Sequence, residues 1–316
     1  MLAPMSGVTD APFRWLARRF GAPAIVSEMF ASSLLTFGGK SNRRSLDFSA
    51  EAPLTVQLVG GDPGMMAEAA RIAEDAGAAA IDINMGCPAK KIAKSGGGAI
   101  LMRDPEHAAR IVSSVRSAVT LPVSVKIRLG WDAASINAPA FAARMAEAGA
   151  GAVTVHGRTR EQLYSGVADW RAIAAVVAAV KVPVVANGDV ADLDTARRAL
   201  AESGAAGVMI GRAACGRPWL VGHLARGLAT GEMPPEPGLR EREAILLEHF
   251  ELMLGEYGRE AGLRAARKHL AWAIGGIAGA AAARERVFAT ETVEDTVAAI
   301  ADLFRRAACA ARSLAA

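Results

Sequence analysis

Residues 138–156 read APAFAARMAEAGAGAVTVH, and one structural unit is complete within them. Ala138–Ala148 is an amphipathic segment of helical period, Gly149 closes it as a left-handed terminal residue would, and Ala152–His156 is a β-branched run. The run ends in an imidazole. The same alternation extends outward in both directions. Leu2–Pro4, Ala24–Ser27, Thr55–Val59, Ala80–Asn84, Val123–Ile127, Val182–Asn187 and Gly207–Ile210 read as further strands. Helical segments Pro12–Phe20, Pro63–Ala76, Pro105–Val119, Trp170–Val180 and Leu193–Glu202 fit between them. Asp62, Asp104 and Asp192 stand where N-caps belong, and Gly77 and Gly204 where helices stop. Eight such units over roughly 220 residues predict a (β/α)8 TIM barrel across residues 1–231. A doubly wound sheet is the runner-up. It would want a glycine-rich first turn, and Met5–Asp10 reads MSGVTD instead.

The pattern changes at residue 232. Residues 232–238 form a Pro-rich linker that cannot be helix interior. Beyond it, Arg240–Tyr257, Leu263–Ile277 and Val293–Arg312 read as helices, so residues 239–316 are expected to form a small all-helical C-terminal domain.

Composition narrows the class. The 316 residues carry a net charge of +4 and are 52% hydrophobic, which excludes a disordered chain. Aromatics are only 5%, which disfavours modules that read bases by stacking on Phe and Tyr. The charge is unevenly spread: residues 1–231 carry +6 and the remainder −2. Within that remainder Arg259, Arg264, Arg267, Lys268, Arg284 and Arg286 face only Glu260 and Glu285, a local basic segment. Cys87, Cys215 and Cys309 lie far apart, with neither disulfide nor metal-ligand spacing, as in a reducing cytoplasm. The start lacks a signal peptide, and Leu270–Ala283 is shorter than the ~20 apolar residues of a membrane span. A cytoplasmic monomer without metal or membrane partner is expected.

In a barrel the chemistry sits at the carboxyl ends of the strands. Those ends carry Glu28, Gln57, Asn84, Lys126, Arg128, His156, Asn187, Asp189 and Arg212, a polar ring that packing does not explain. Asn187-Gly188-Asp189 and Gly211-Arg212 follow the seventh and eighth strands, the usual phosphate-binding loops. Lys126 would suit either a Schiff base or a fixed charge beside an anionic ring. Cys87, on the loop after the fourth strand, faces the same opening.

Seven runs carry a family likeness: LAPM at 2–5, VQLVG at 56–60, DINMGCP at 82–88, VKIRLG at 125–130, HGRTR at 156–160, NGDV at 187–190 and MIGRA at 209–213. With Arg267-Lys268-His269 in the tail, the chain resembles the tRNA-dihydrouridine synthases, most closely the B-type subgroup. The lead-in before Ala3-Pro4-Met5 is shorter than is usual there, so either the natural start lies further upstream or the barrel bottom is less well plugged. The resemblance implies bound FMN, NADPH as co-substrate and tRNA as partner, with the C5=C6 bond of a D-loop uridine reduced. It implies that Ala3, Pro4 and Met5 underlie the flavin ring and that Gln57 and Lys126 bond its polar edge. Asn187, Gly188, Asp189, Gly211 and Arg212 would take the phosphate end, with His156 nearby. Hydride would reach C6, and Cys87 would protonate C5 as general acid, since a thiol is ordinarily protonated at neutral pH. Asn84 would orient the target base or the flavin. Lys90, Lys91, Lys94, Arg158 and Arg160 would be rim cations for tRNA, with Arg264, Arg267, Lys268, Arg284 and Arg286 gripping its backbone. The lysines are expected to face phosphate or solvent rather than the sulfur. A flavin-dependent dehydrogenase of a small pyrimidine or enone, and a tRNA-binding protein without turnover, are the alternatives. The basic tail disfavours the first and the intact Cys87 and Lys126 disfavour the second.

Overall fold

The computed structural model describes residues 1–37 and 48–315. The chain forms two compact units, Met1–Ser6 with Ala22–Ala213, and Gly7–Gly21 with Ala214–Ala316.

The first unit is built on parallel strands β1 (Val26–Ala31), β2 (Thr55–Val59), β3 (Ala80–Asn84), β4 (Val123–Arg128), β5 (Ala152–His156), β6 (Val184–Asn187) and β7 (Gly207–Met209), each paired with the next. Leu2 closes the sheet, bridging Ile25 before β1 and Ile210 after β7. The expected strand Leu2–Pro4 is thus a single-residue stave, because Pro4 has no N–H to extend a ladder. With that stave the barrel has its eight walls. Around it lie α2 (Ser32–Phe37), α3 (Pro63–Asp75), α4 (Lys90–Lys94), α5 (Pro105–Ala118), α6 (Ala138–Glu147), α7 (Trp170–Ala179) and α8 (Leu193–Ser203), α1 belonging to the second unit. Asp62, Asp104 and Asp192 cap α3, α5 and α8 by accepting the N–H groups of Met65, His107 and Thr195. Each cap is worth about 1 kcal/mol and fixes where the chain leaves a strand-end loop. At the other end of α8, Gly204 adopts φ +66 and bonds Leu200.

The second unit comprises α1 (Ala11–Arg19), α9 (Leu220–Thr230), α10 (Leu239–Tyr257), α11 (Arg259–Ala273), α12 (Ala280–Ala289) and α13 (Val293–Ala315). Its core joins Leu246, Phe250, Leu263, Leu270, Ile300 and Phe304. The division falls at Ala213 rather than at residues 232–238. A Cβ on Gly222 would strike the Phe20 carbonyl, Trp219 stacks edge-on against Phe20, and Arg217 and Trp219 both donate to Glu236 in the linker. Helix α9 therefore packs with α1 and with the linker. Helix α12 went unforeseen because Gly275, Gly276 and Gly279 interrupt the pattern before it. His249 and His269 are buried here with ring centroids 4.9 Å apart.

Candidate active site

Polar residues occupy the strand ends in register. Gln57, Asp82 and Ser124 align across β2–β4, Asn84, Lys126 and Thr154 across β3–β5, and Arg128, His156 and Asn187 across β4–β6. Residues two apart in a strand share a face, so these layers stack on one side of the sheet. Lys126 Nζ donates to Asn187 Oδ1 at 2.9 Å, and because β5 lies between their strands this bond crosses the barrel interior. The stacked face is therefore the inner one.

At the floor, Ser124 Oγ and Gln57 Nε2 donate to the two oxygens of Asp82 at 2.6 and 2.7 Å. Asn84 Nδ2 donates to Gln57 Oε1 at 2.8 Å, while Asn84 Oδ1 accepts the N–H groups of Gly86 (3.2 Å) and Cys87 (2.9 Å). A continuous relay thus runs from a buried carboxyl to the loop that carries Cys87. Burial raises the Asp82 pKa, against the opposing bonds from Gln57 and Ser124 and the charge of Lys126. The sequence reading passed over Asp82; its position two residues before Asn84 on a buried strand was the available signal.

Positive charge exceeds negative here. Burial, aided by the Arg128 charge, lowers the Lys126 pKa to about 8, with Asp82 and Cys87 opposing. Burial and the charges of Lys126, Arg128, Arg158 and Arg212 drive His156 down to about 2, so its imidazole is neutral at physiological pH. Four cations thus act on one neutral ring, and among the described residues the carboxyls bonded into this network are those of Asp82 and Asp189. Such a donor set fits an anionic ligand.

The phosphate-type loops are assembled as well. Gly188 takes φ +116 and Asp189 φ +56, and a Cβ on Gly188 would press on Ala168 and the His156 ring. Asp189 Oδ2 accepts from Arg158 Nη2 (2.6 Å) and the Ala168 N–H (2.8 Å), and Oδ1 accepts from Arg212 Nη2 at 3.2 Å. Burial pulls its carboxyl upward, but these bonds and the two arginine charges outweigh it and hold the pKa below the usual value. Asp189 therefore positions the exposed Arg212. Ala3 and Met5 border Gly211, where a Cβ would lie 3.8 and 3.7 Å from them.

Arg158 requires a correction: it is no rim cation. It is 1% exposed and donates to the carbonyls of Ser165 and Gly166, to Asp189, and toward His156. Buried donors must find partners, and these occupy its fork. Arg160 is half-buried, its guanidinium 4.6 Å from the Trp131 ring centroid and donating to the Pro88 carbonyl at 3.4 Å. Lys90, Lys91 and Lys94 are exposed on α4. Tyr164, not anticipated, exposes its ring 4.9 Å from the Arg212 guanidinium.

In the second unit, Arg264 pairs with Glu260, Arg267 donates to the Thr290 carbonyl, and Arg284 stacks on Phe288. Lys268 lies against Gly7. Arg286 meets Asp302, which Arg305 and Arg306 also engage. Those last two arginines were missed, although they follow Asp302 at helical spacing. Among the described residues no cluster of three or more metal-ligand side chains occurs, and no helix is long and apolar enough to cross a membrane.

A closed parallel barrel with a relay-mounted thiol and a cation-rich, amide-lined mouth defines an enzyme acting at the carboxyl ends of its strands. The chain belongs to the dihydrouridine synthase family: the model described as dihydrouridine synthase (Dus) matches residues 1–308. A probable tRNA-dihydrouridine synthase of Rhodobacter capsulatus is 53% identical over 274 residues, covering 86% of this chain and 85% of that one. The tRNA-dihydrouridine synthase B of Xanthomonas axonopodis pv. citri is 49% identical over 273 residues, covering 86% and 82%. Among solved structures, histamine dehydrogenase from Rhizobium sp. 4-9 superposes with a TM-score of 0.58 at 12% identity, over 77% of this chain and 46% of that one. That likeness concerns the fold.

Proposed function

We propose that this chain reduces the C5=C6 bond of a uridine in tRNA to dihydrouridine, with a flavin mononucleotide held at the barrel mouth and NADPH as the reductant. The reading is carried by Lys126, whose ammonium is fixed on Asn187 and whose strand pairs it in register with Asn84, the residue that holds the Cys87 N–H. The flavin, when bound, supplies the hydride that adds to C6. Ala3, Pro4 and Met5 would underlie its ring, and Gln57 and Lys126 would bond the ring's polar edge. Asn187, Gly188, Gly211 and Arg212 would hold the phosphate, with Asp189 aiming Arg212.

The rest follows from the chain's own groups. Lys126, with a pKa of about 8, is mostly protonated at neutral pH and offsets negative charge in the mouth. Cys87 gives its proton to C5 of the base, and the sulfur left behind keeps the electron pair. A solvent proton restores the thiol. Asn84 holds the loop by two N–H bonds, so the sulfur is presented at a fixed height. We place this activity in the cytoplasm. A D-loop base must be extruded to reach such a mouth, which gives Lys90, Lys91, Lys94, Arg160 and the second unit's arginines a backbone to hold.

The test is incubation of the purified, yellow protein with NADPH and tRNA from a strain lacking its gene, read by mass spectrometry. One uridine gaining two mass units is the expected result. Free uracil reduced while tRNA stays unmodified would instead favour the small-pyrimidine dehydrogenase.

A further inference from the structure

Arg128 ends β4 and is buried, yet its hydrogen bonds among the described residues all go to main-chain carbonyls. Nε donates to Gly86 at 2.8 Å, and Nη1 donates to both Thr159 and Leu163 at 2.8 Å. Gly86 precedes Cys87. Thr159 and Leu163 belong to the loop after β5, and Leu163 sits at φ +51, in the left-handed region that non-glycine residues rarely adopt. The guanidinium thus bridges two loops from different strands and helps hold one of them in a conformation it would otherwise leave.

The Gly86–Cys87 turn is gripped on both sides. Asn84 accepts its N–H groups, and Arg128 takes the Gly86 carbonyl. The turn also lies flat on β4, since a Cβ at Gly86 would meet the Ile127 carbonyl carbon and the Lys126 oxygen at 3.3 Å. Beyond it the Ala99 N–H bonds the Cys87 carbonyl at 3.0 Å. Arg128 also reaches the loop after β5, which Arg160 joins more weakly to the Pro88 carbonyl at 3.4 Å and where Tyr164 follows Leu163 with its ring centroid 5.8 Å from the Arg128 guanidinium. A planar fork can serve three carbonyls in fixed directions; a lysine ammonium cannot reproduce that geometry.

We propose that Arg128 is a positioning residue that locks the Cys87 loop to the Thr159–Leu163 loop and thereby sets where the Cys87 sulfur stands. The proposal rests on reading Cys87 as the proton donor. Misplacing a reacting group by about 1 Å can cost about a hundredfold in rate. In a C215S/C309S background, R128K and R128M are compared with the parent holoenzyme at saturating tRNA. Turnover is expected to fall between about tenfold and a hundredfold in both. The rate of flavin reduction by NADPH and the affinity for tRNA should change less than about threefold, a split that general loss of structure would not give. Alkylation of Cys87 by iodoacetamide in the cofactor-free protein should accelerate by about fivefold or more as the loop loosens. Turnover and alkylation must move together: a change in one alone, or in neither, overturns the proposal. So does R128K behaving as the parent, since charge without the fork would then suffice. If R128M does not fold, R128K decides. Full activity in C87A would remove the underlying reading while leaving the alkylation result on Arg128 intact.

Discussion

Replacing Lys126 with methionine separates what the site costs from what it does. Burial lowers the lysine pKa from 10.5 to about 8. At about 1.36 kcal/mol per pKa unit, keeping the charge there costs about 3 kcal/mol at pH 7. The residue is only half-buried overall, and screening brings the cost nearer 2 kcal/mol. The bond to Asn187 offsets about 1 kcal/mol of that. K126M, similar in volume and uncharged, should therefore be about 1 kcal/mol more stable than the parent, with a Tm roughly 1.5 °C higher. The pH dependence has a definite sign. Because the folded pKa is depressed, the unfolded chain holds more protons between pH 8 and 10.5, so the parent gains stability across that window. The advantage of K126M should close by about pH 10. Urea melts of the cofactor-free proteins at pH 7 and pH 10 measure it, and FMN titration should show at least about tenfold weaker binding to the variant. If K126M is the less stable protein at pH 7, or the gap is equal at both pH values, the account of Lys126 as a strained cation awaiting an anion is wrong.

Three further outcomes are expected. Asp189→Asn leaves the buried Arg158 guanidinium without its charge partner and should destabilise the barrel by about 3 kcal/mol, read by denaturant melts. His249 and His269, lowered by burial to about 3 and 4, favour a neutral folded state. Their contribution is complete above pH 6.5 and is lost as pH falls toward 4 and then 3. At pH 5 each should already cost about 2 kcal/mol, and H249L/H269L should flatten the acid limb of a pH–stability curve. The triple variant K90Q/K91Q/K94Q should lower the slope of log affinity for tRNA against log salt by up to about 2; an unchanged slope would remove these lysines from the RNA surface.

Much of the frame was legible because its signals are local. An aspartate before a proline caps a helix whatever surrounds it, and Asp62 and Asp104 did so. Strands β2, β3 and β5 start and stop where their apolar runs do. The first stave was overread, because the run Leu2–Pro4 contains a residue that cannot donate. In the site, Cys87, Lys126 and Asn187 were legible as strand-end chemistry. Arg158 was not, because its burial depends on Asp189, 31 residues away, and on the carbonyls of Ser165 and Gly166. A basic HGRTR run looks the same whether its arginines face water or a carboxylate that folding brings in from elsewhere. Asp82 was hidden for a related reason: a lone acid in an apolar strand shows its purpose only when Gln57 and Ser124 arrive beside it.

The single-residue stave also has a dynamic consequence. On one side Leu2 is held by its N–H to Ala24 and by Val26 to its carbonyl; on the other, Ala3 bonds Ile210 and Ile210 bonds Met1. Two main-chain bonds on the β1 side and three on the other, counting that from the Met1 ammonium to the Val208 carbonyl, make this seam a thin part of the wall, and local opening should begin there, well below the free energy needed to separate β3 from β4. The amide hydrogens of Leu2, Ala3 and Ile210 should then exchange with solvent early. Ala3 and Met5 form the proposed flavin seat, so occupancy stitches the seam: at a hundredfold excess over Kd, binding adds about 2.7 kcal/mol against opening. Exchange at three amides would therefore report loading of the enzyme without any turnover being measured.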